Sequence, residues 1–176
     1  MKKIKILLPF FLISSFALGQ TLTTEIKTPL GHTVPDTYYR GELLNETQKE
    51  ACSDSITLNY PNATELNSPS ATTLYNCHSY AWYRSEGGDK NVWMGLYYQD
   101  SEDIYWEDGS YIEVSSANDA RKISYAGNHS AIKYSGTAYR SKWGSWGLIE
   151  HSIGYGPYIY QMDNRKYYSP FQVDGD

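Results

Sequence analysis

Apolar positions follow two periods along this chain, and the change falls near Gly88. Before it, a helix is predicted over Leu43 to Leu58, with Leu44, Ala51 and Ile56 apolar and Pro61 stopping it. Upstream, Thr21 to Gly41 is polar and punctuated by Pro29, Gly31 and Pro35, so it reads as an extended arm. Asn62 to Thr73, with Ser68-Pro69-Ser70 inside it, reads as a loop. The dense aromatic run Tyr75 to Arg84 follows. Asn76 in N-cap position and the closing Gly87-Gly88 predict a short helix that begins at Cys77.

Beyond Gly88 the apolar residues come in short runs between turn signals. Ile104-Tyr105-Trp106, an Asp108-Gly109 turn and Tyr111 to Val114 predict a hairpin. Arg121 to Tyr125, Ser130 to Tyr134 and Ala138 to Lys142 are further strands, with turns at Ala126-Gly127-Asn128 and Ser135-Gly136-Thr137. Gly147 to Ile153 and Tyr155 to Gln161 add two more candidates. Helices first and antiparallel strands after make an α+β pattern.

Residues 1–19 have the form of an export signal. Lys2, Lys3 and Lys5 precede the apolar stretch Ile6 to Leu18, and Ala17 and Gly19 are small residues placed for cleavage that leaves Gln20 first. The stretch is too short for a comfortable membrane span. The expected organisation is a signal over 1–19, an arm over 20–42 and one domain over 43–176, in a periplasmic or secreted protein. No membrane association is expected after cleavage.

Composition sharpens this picture. The formal charge of the whole chain is −5. Loss of the three signal lysines makes the mature chain more acidic still. An acidic surface without Lys/Arg clusters argues against nucleic acid and anionic membranes, where affinity comes from cationic contacts to phosphate. After the signal, Phe171 is the only Phe, while the chain holds 18 Tyr and 5 Trp. An aromatic core follows, because these rings bury large areas while their OH or NH reaches a polar partner.

The candidate chemistry centres on Cys77. A thiol at a helix N-terminus feels unpaired backbone N–H groups and the positive end of the helix dipole, both of which favour thiolate. His129, at a strand start, could take its proton, and a third polar group would fix the imidazole tautomer. His151, or Ser141, is placed for that task. His78 is adjacent in sequence, and neighbouring helical side chains diverge, so it is expected in the cleft wall. Other readings of Cys77 are a disulfide with Cys52 or an inert buried thiol. The bridge would make the protein a non-catalytic exported module binding glycan or peptide. Zinc on Cys77, His129 and His151 is compatible in ligand type only, as CxxC and HExxH spacings are absent, so no metal or other cofactor is expected. Glu102, Asp103, Glu107 and Asp108 are expected at a solvated hairpin end.

These same residues carry a resemblance. Asn76-Cys77-His78-Ser79-Tyr80-Ala81 resembles the Asp-Cys-Ser-Gly-Phe-Val segment of NlpC-type cell-wall peptidases, and equally the Cys-Thr-Trp-Tyr-Ala segment of CHAP amidases. Asn118 to Ile123 is similar to the Gly-Asp-Leu-Val-Phe-Phe strand that precedes the family's His, and His129-Ser130-Ala131-Ile132 is similar to its His-Val-Gly-Ile. The resemblance spans Tyr75 to Lys142. It implies a papain-like (NlpC/CHAP-like) fold with N-terminal helices and a Cys-bearing helix on an antiparallel sheet. It also implies metal-free hydrolysis of amide bonds in peptides or peptidoglycan stems, through a thioester, for wall remodelling or as an antibacterial toxin. Cys77 would be the nucleophile, His129 the base and acid, and His151 or Ser141 the orienter. The Cys77 backbone N–H would hold the oxyanion, helped by Tyr75 or Tyr80, with Asn76 and His78 in the cleft. The resemblance leaves room for a proteinaceous inhibitor as a partner. Asn76 stands where the family has Asp, and His78-Ser79 where it has Ser-Gly.

Overall fold

Seven strands form one antiparallel sheet in the computed structural model, which describes residues 24–95, 100–125, 128–158 and 164–171. The export signal lies outside the described residues. The strand order is β2 (Thr64–Leu66), β8 (Leu148–Ser152), β7 (Ala138–Lys142), β6 (His129–Ser135), β5 (Lys122–Tyr125), β9 (Arg165–Pro170), β4 (Tyr111–Val114). β1 (Thr37–Tyr39) pairs separately with β3 (Val92–Met94). With α1 (Glu46–Asn59) and α2 (Ile104–Glu107) this is a mixed α+β molecule with few helices.

Local sequence accounts for α1. The Asn45 side chain accepts from the Gln48 N–H at 3.0 Å while the Gln48 side chain accepts from the Asn45 N–H at 2.9 Å, a reciprocal cap that satisfies orphan donors. Ile56 anchors the helix beneath Trp143 and Ile149. The helical segment at Cys77 is less regular than expected. Asn76 Oδ1 accepts from Ser79 N–H at 3.1 Å and the Asn76 carbonyl from Tyr80 N–H at 2.9 Å. The chain then widens into a π-helix over Ser79–Tyr83 and tightens into a 3-10 turn over Arg84–Glu86. It stops at Gly87, whose φ of 90° suits glycine.

The two faces of the sheet bury different cores. Successive strand residues point to opposite sides, so Lys122, Ser130 and Ile132 face the Cys77 segment while Ile123, Tyr125 and Ala131 face away. Trp82 fills the first side, with Tyr105, Trp106, Tyr111 and Tyr168 rings 5.2 to 5.6 Å from it. The expected aromatic core is therefore present. Ile123, Tyr125, Ala131 and Tyr139 form the second side, beside the α1 cluster.

Several expectations need correction. Ile104 to Trp106 is not a hairpin strand: it lies in the helical turn α2, and Tyr111–Val114 pairs instead with the C-terminal strand β9. Burial of Tyr105 in the Trp82 cluster favours a turn that drops this ring inward. Asn62 to Thr73 contains strand β2, an edge partner of β8. The region read as an arm contains β1, and its Ile26 and Val34 are buried in the Trp82 cluster. Tyr155 to Tyr158 is turn and bend rather than strand, and the rest of that candidate lies outside the described residues. So do Ala126 and Gly127 of the expected turn. Cys52 and Cys77 are both free thiols, so the bridge considered from sequence is not formed.

Candidate functional site

Cys77 lies in the first turn of its helical segment and is only 5 % exposed. Asn76 fixes that turn. Besides capping it, the Asn76 amide donates to the Met94 carbonyl at 2.7 Å, tying the helix start to β3. Two imidazoles flank the thiol. Burial pushes the Cys77 thiol up, but the charges of His78 and His129, and the close approach of both rings, outweigh it and hold the thiol well below its ordinary range. Lys142 lies within electrostatic reach of the same sulfur.

His78 is far from a passive wall residue. Its Nδ1 stands 2.9 Å from Ser130 Oγ and 2.9 Å from Glu102 Oε1. Ser130 Oγ also accepts from the Trp82 indole N–H at 3.0 Å. Burial pulls the His78 ring down, yet the charges of Cys77 and Glu102 carry it well above the ordinary imidazole range. Glu102 is fully buried rather than solvated, because Tyr105 and the α2 turn carry it inward. Its contact with Nδ1 is close but not aligned as a full hydrogen bond, and neither carboxylate oxygen has another partner among the described residues.

His129 reaches the thiol from the first position of β6. Among the described residues neither of its ring nitrogens completes a well-aligned hydrogen bond, although the ring lies close enough to Cys77 to depress the thiol. Tyr158 stacks on the His129 ring, with centroids 3.7 Å apart and planes 8° from parallel. The stack fixes the ring plane without engaging its nitrogens. His129, His151, Trp143 and Tyr158 line a cavity of about 10 Å³, far too small for a peptide.

The other residues singled out from sequence lie close by but are engaged elsewhere. Ser141 Oγ donates to His151 Nε2 at 2.8 Å and accepts from the Trp143 indole N–H at 3.1 Å. His151 Nδ1 donates to the Ser152 carbonyl at 2.8 Å, which leaves Nε2 as the acceptor. Burial therefore drives His151 down to about 4, with the nearby His129 charge adding to the effect. Neither Ser141 nor His151 hydrogen bonds His129. The Tyr80 ring lies 6.5 Å from that of Tyr75, and burial raises both phenols.

Sequence reasoning missed Glu102 and underrated His78. The adjacency argument holds for a regular helix surface, but in this first turn both side chains are buried and share a charge environment. No local signal marks Glu102, whose burial depends on α2. Comparison with known proteins adds nothing to this geometry: no family model, no curated protein and no solved structure matches the chain.

Proposed function

We propose that this protein is a secreted cysteine amidohydrolase or peptidase of papain-like, NlpC/CHAP-like type. The observation that carries the reading is the buried Cys77 thiol held between two imidazoles in the first turn of a helix, with its ionisation shifted well below the ordinary range. A structural thiol in a dry core would shift the other way. In this reading the Cys77 proton passes to His129, and the thiolate attacks the amide carbonyl carbon. The Cys77 backbone N–H, at a helix start where such groups lack internal partners, receives the developing oxyanion.

The C–N bond then breaks as the His129 imidazolium protonates the leaving nitrogen, and the acyl group remains on sulfur as a thioester. Neutral His129 next takes a proton from water. The resulting hydroxide attacks the thioester carbonyl, the C–S bond breaks and the thiolate returns. Tyr158 supports the ring orientation in this reading, since His151 and Ser141 serve each other. Because Cys77 is buried, the side chains around it must shift to admit a substrate.

Peptidoglycan stem peptides are the proposed substrate class on the strength of the sequence resemblance alone, since a fold does not fix a substrate. Purified sacculi incubated with the mature protein should release soluble peptide fragments. Cys77→Ala should lower that release at least about a thousandfold, as loss of a nucleophile does in triad enzymes, while circular dichroism stays unchanged. Equal release by the variant rejects Cys77 as nucleophile.

A further inference from the structure

Glu102 has no part in the mechanism above, yet it is a fully buried carboxylate whose Oε1 lies 2.9 Å from His78 Nδ1. Uncompensated, such a charge would be strongly unfavourable in the interior. Its surroundings show what compensates it. On one side stand Tyr168, whose hydroxyl is buried without a hydrogen-bond partner among the described residues, and Asp103, which burial and then the Glu102 charge hold protonated up to about 6. On the other stands His78, with Ser130 Oγ and the Trp82 indole behind it. Among these neighbours only His78 offers a positive charge.

We infer that Glu102 and His78 form a fixed ionic arm, in which Glu102 keeps the His78 ring cationic and the ring holds a second positive charge against Cys77, beside that of His129. Glu102 acts through His78 and is a positioning residue. When the Sγ proton moves to His129, the four groups Glu102, His78, Cys77 and His129 carry alternating charges that sum to zero. Only the S–H bond breaks in that step, and only an N–H bond forms. An alternating, neutral chain is the arrangement in which buried charges offset one another best. Lys142 also faces Cys77, but three carbonyls, those of Thr72, Gly144 and Trp146, hold its ammonium in place. Tyr158 also lies within electrostatic reach of the thiol.

The arm gives His129 and His78 separate tasks. His78, held by an anion, keeps its charge through the cycle. His129 stands against Cys77 itself rather than against a carboxylate, and exchanges its proton with that thiol. The inference deepens the proposed hydrolase but can be tested without any substrate.

Mature protein is treated with iodoacetamide across pH 4 to 9, and modification is read by mass spectrometry on the Cys77 peptide, which separates it from Cys52. Glu102→Gln should raise the midpoint of Cys77 alkylation by about one pH unit or more, the effect expected when a charge next to an ionisable group is lost. Glu107→Gln, an exposed carboxylate change on the same α2 turn, should leave it in place. A folded Glu102→Gln protein with an unmoved midpoint overturns the inference. If that variant does not fold, ring ¹⁵N shifts of the wild-type protein decide. Both His78 nitrogens should carry protons at pH 7, and a neutral His78 ring overturns the arm. Sacculus digestion keeps the two readings apart, since wild-type release by Cys77→Ala would remove the hydrolase and leave the alkylation result standing.

Discussion

Two tryptophan–serine–histidine chains lie on opposite faces of the same sheet. On one face Trp82 donates to Ser130, which bonds His78; on the other Trp143 donates to Ser141, which bonds His151. The two histidines are equally buried, at 6 % exposure each. Their ionisation nevertheless moves in opposite directions, His78 well above the ordinary range and His151 down to about 4. The difference lies in the anions close by: the charges of Cys77 and then Glu102 raise His78, whereas burial dominates at His151. His151 Nδ1 meets the neutral Ser152 carbonyl, whereas His78 Nδ1 meets the Glu102 carboxylate. Burial alone discharges an imidazole, and only an anion at contact distance reverses the sign.

The acid limb of stability tests this contrast most strongly. Between pH 6.5 and about 4 the unfolded chain protonates His151 while the folded chain resists. Stability should therefore fall as pH drops through that window, by about 3 kcal/mol for this one group. Urea unfolding at a series of pH values should show a shallower acid loss in His151→Gln than in the wild type. Equal slopes for the two proteins would mean that His151 is already charged, and the comparison would break.

The two serines come next. Ser130→Ala leaves the Trp82 indole N–H unpaired, and Ser141→Ala does the same to Trp143, so each should cost about 1–3 kcal/mol in chemical denaturation. Only Ser130→Ala should also alter Cys77 alkylation, because only that chain ends beside the thiol. A change in thiol reactivity from Ser141→Ala alone would invert the assignment of the faces. The smallest effect expected is that of Asn76→Ala, about 1 kcal/mol for the lost cap. It should also slow Cys77 modification modestly, since the helix start would be freed from Met94. Unchanged denaturation midpoint and modification rate would show that the cap is dispensable.

Legibility followed sequence distance. The cap at Asn76, the stop at Gly87, helix α1 and strands β5 to β8 were readable because each depends on residues within a turn or a hairpin of one another. Failures occurred where the partner is remote. Tyr111–Val114 carries an acceptable hairpin pattern, but its partner is Arg165–Pro170, more than fifty residues on. The acidic group around Glu102 reads as a solvated turn until Tyr105 is placed among Trp82, Tyr111 and Tyr168.

The amino-acid order alone thus determined a mixed α+β chain with an aromatic core and a thiol at a helix start, since capping, turn chemistry and strand alternation are short-range effects. Packing decided that His78 rather than His151 receives an anion, that Ser141 and His151 bond each other, and that Tyr158 covers His129. Those outcomes turn on which side of the sheet a ring faces and on what α2 buries, and no spacing along the chain encodes the distance between Glu102 and His78.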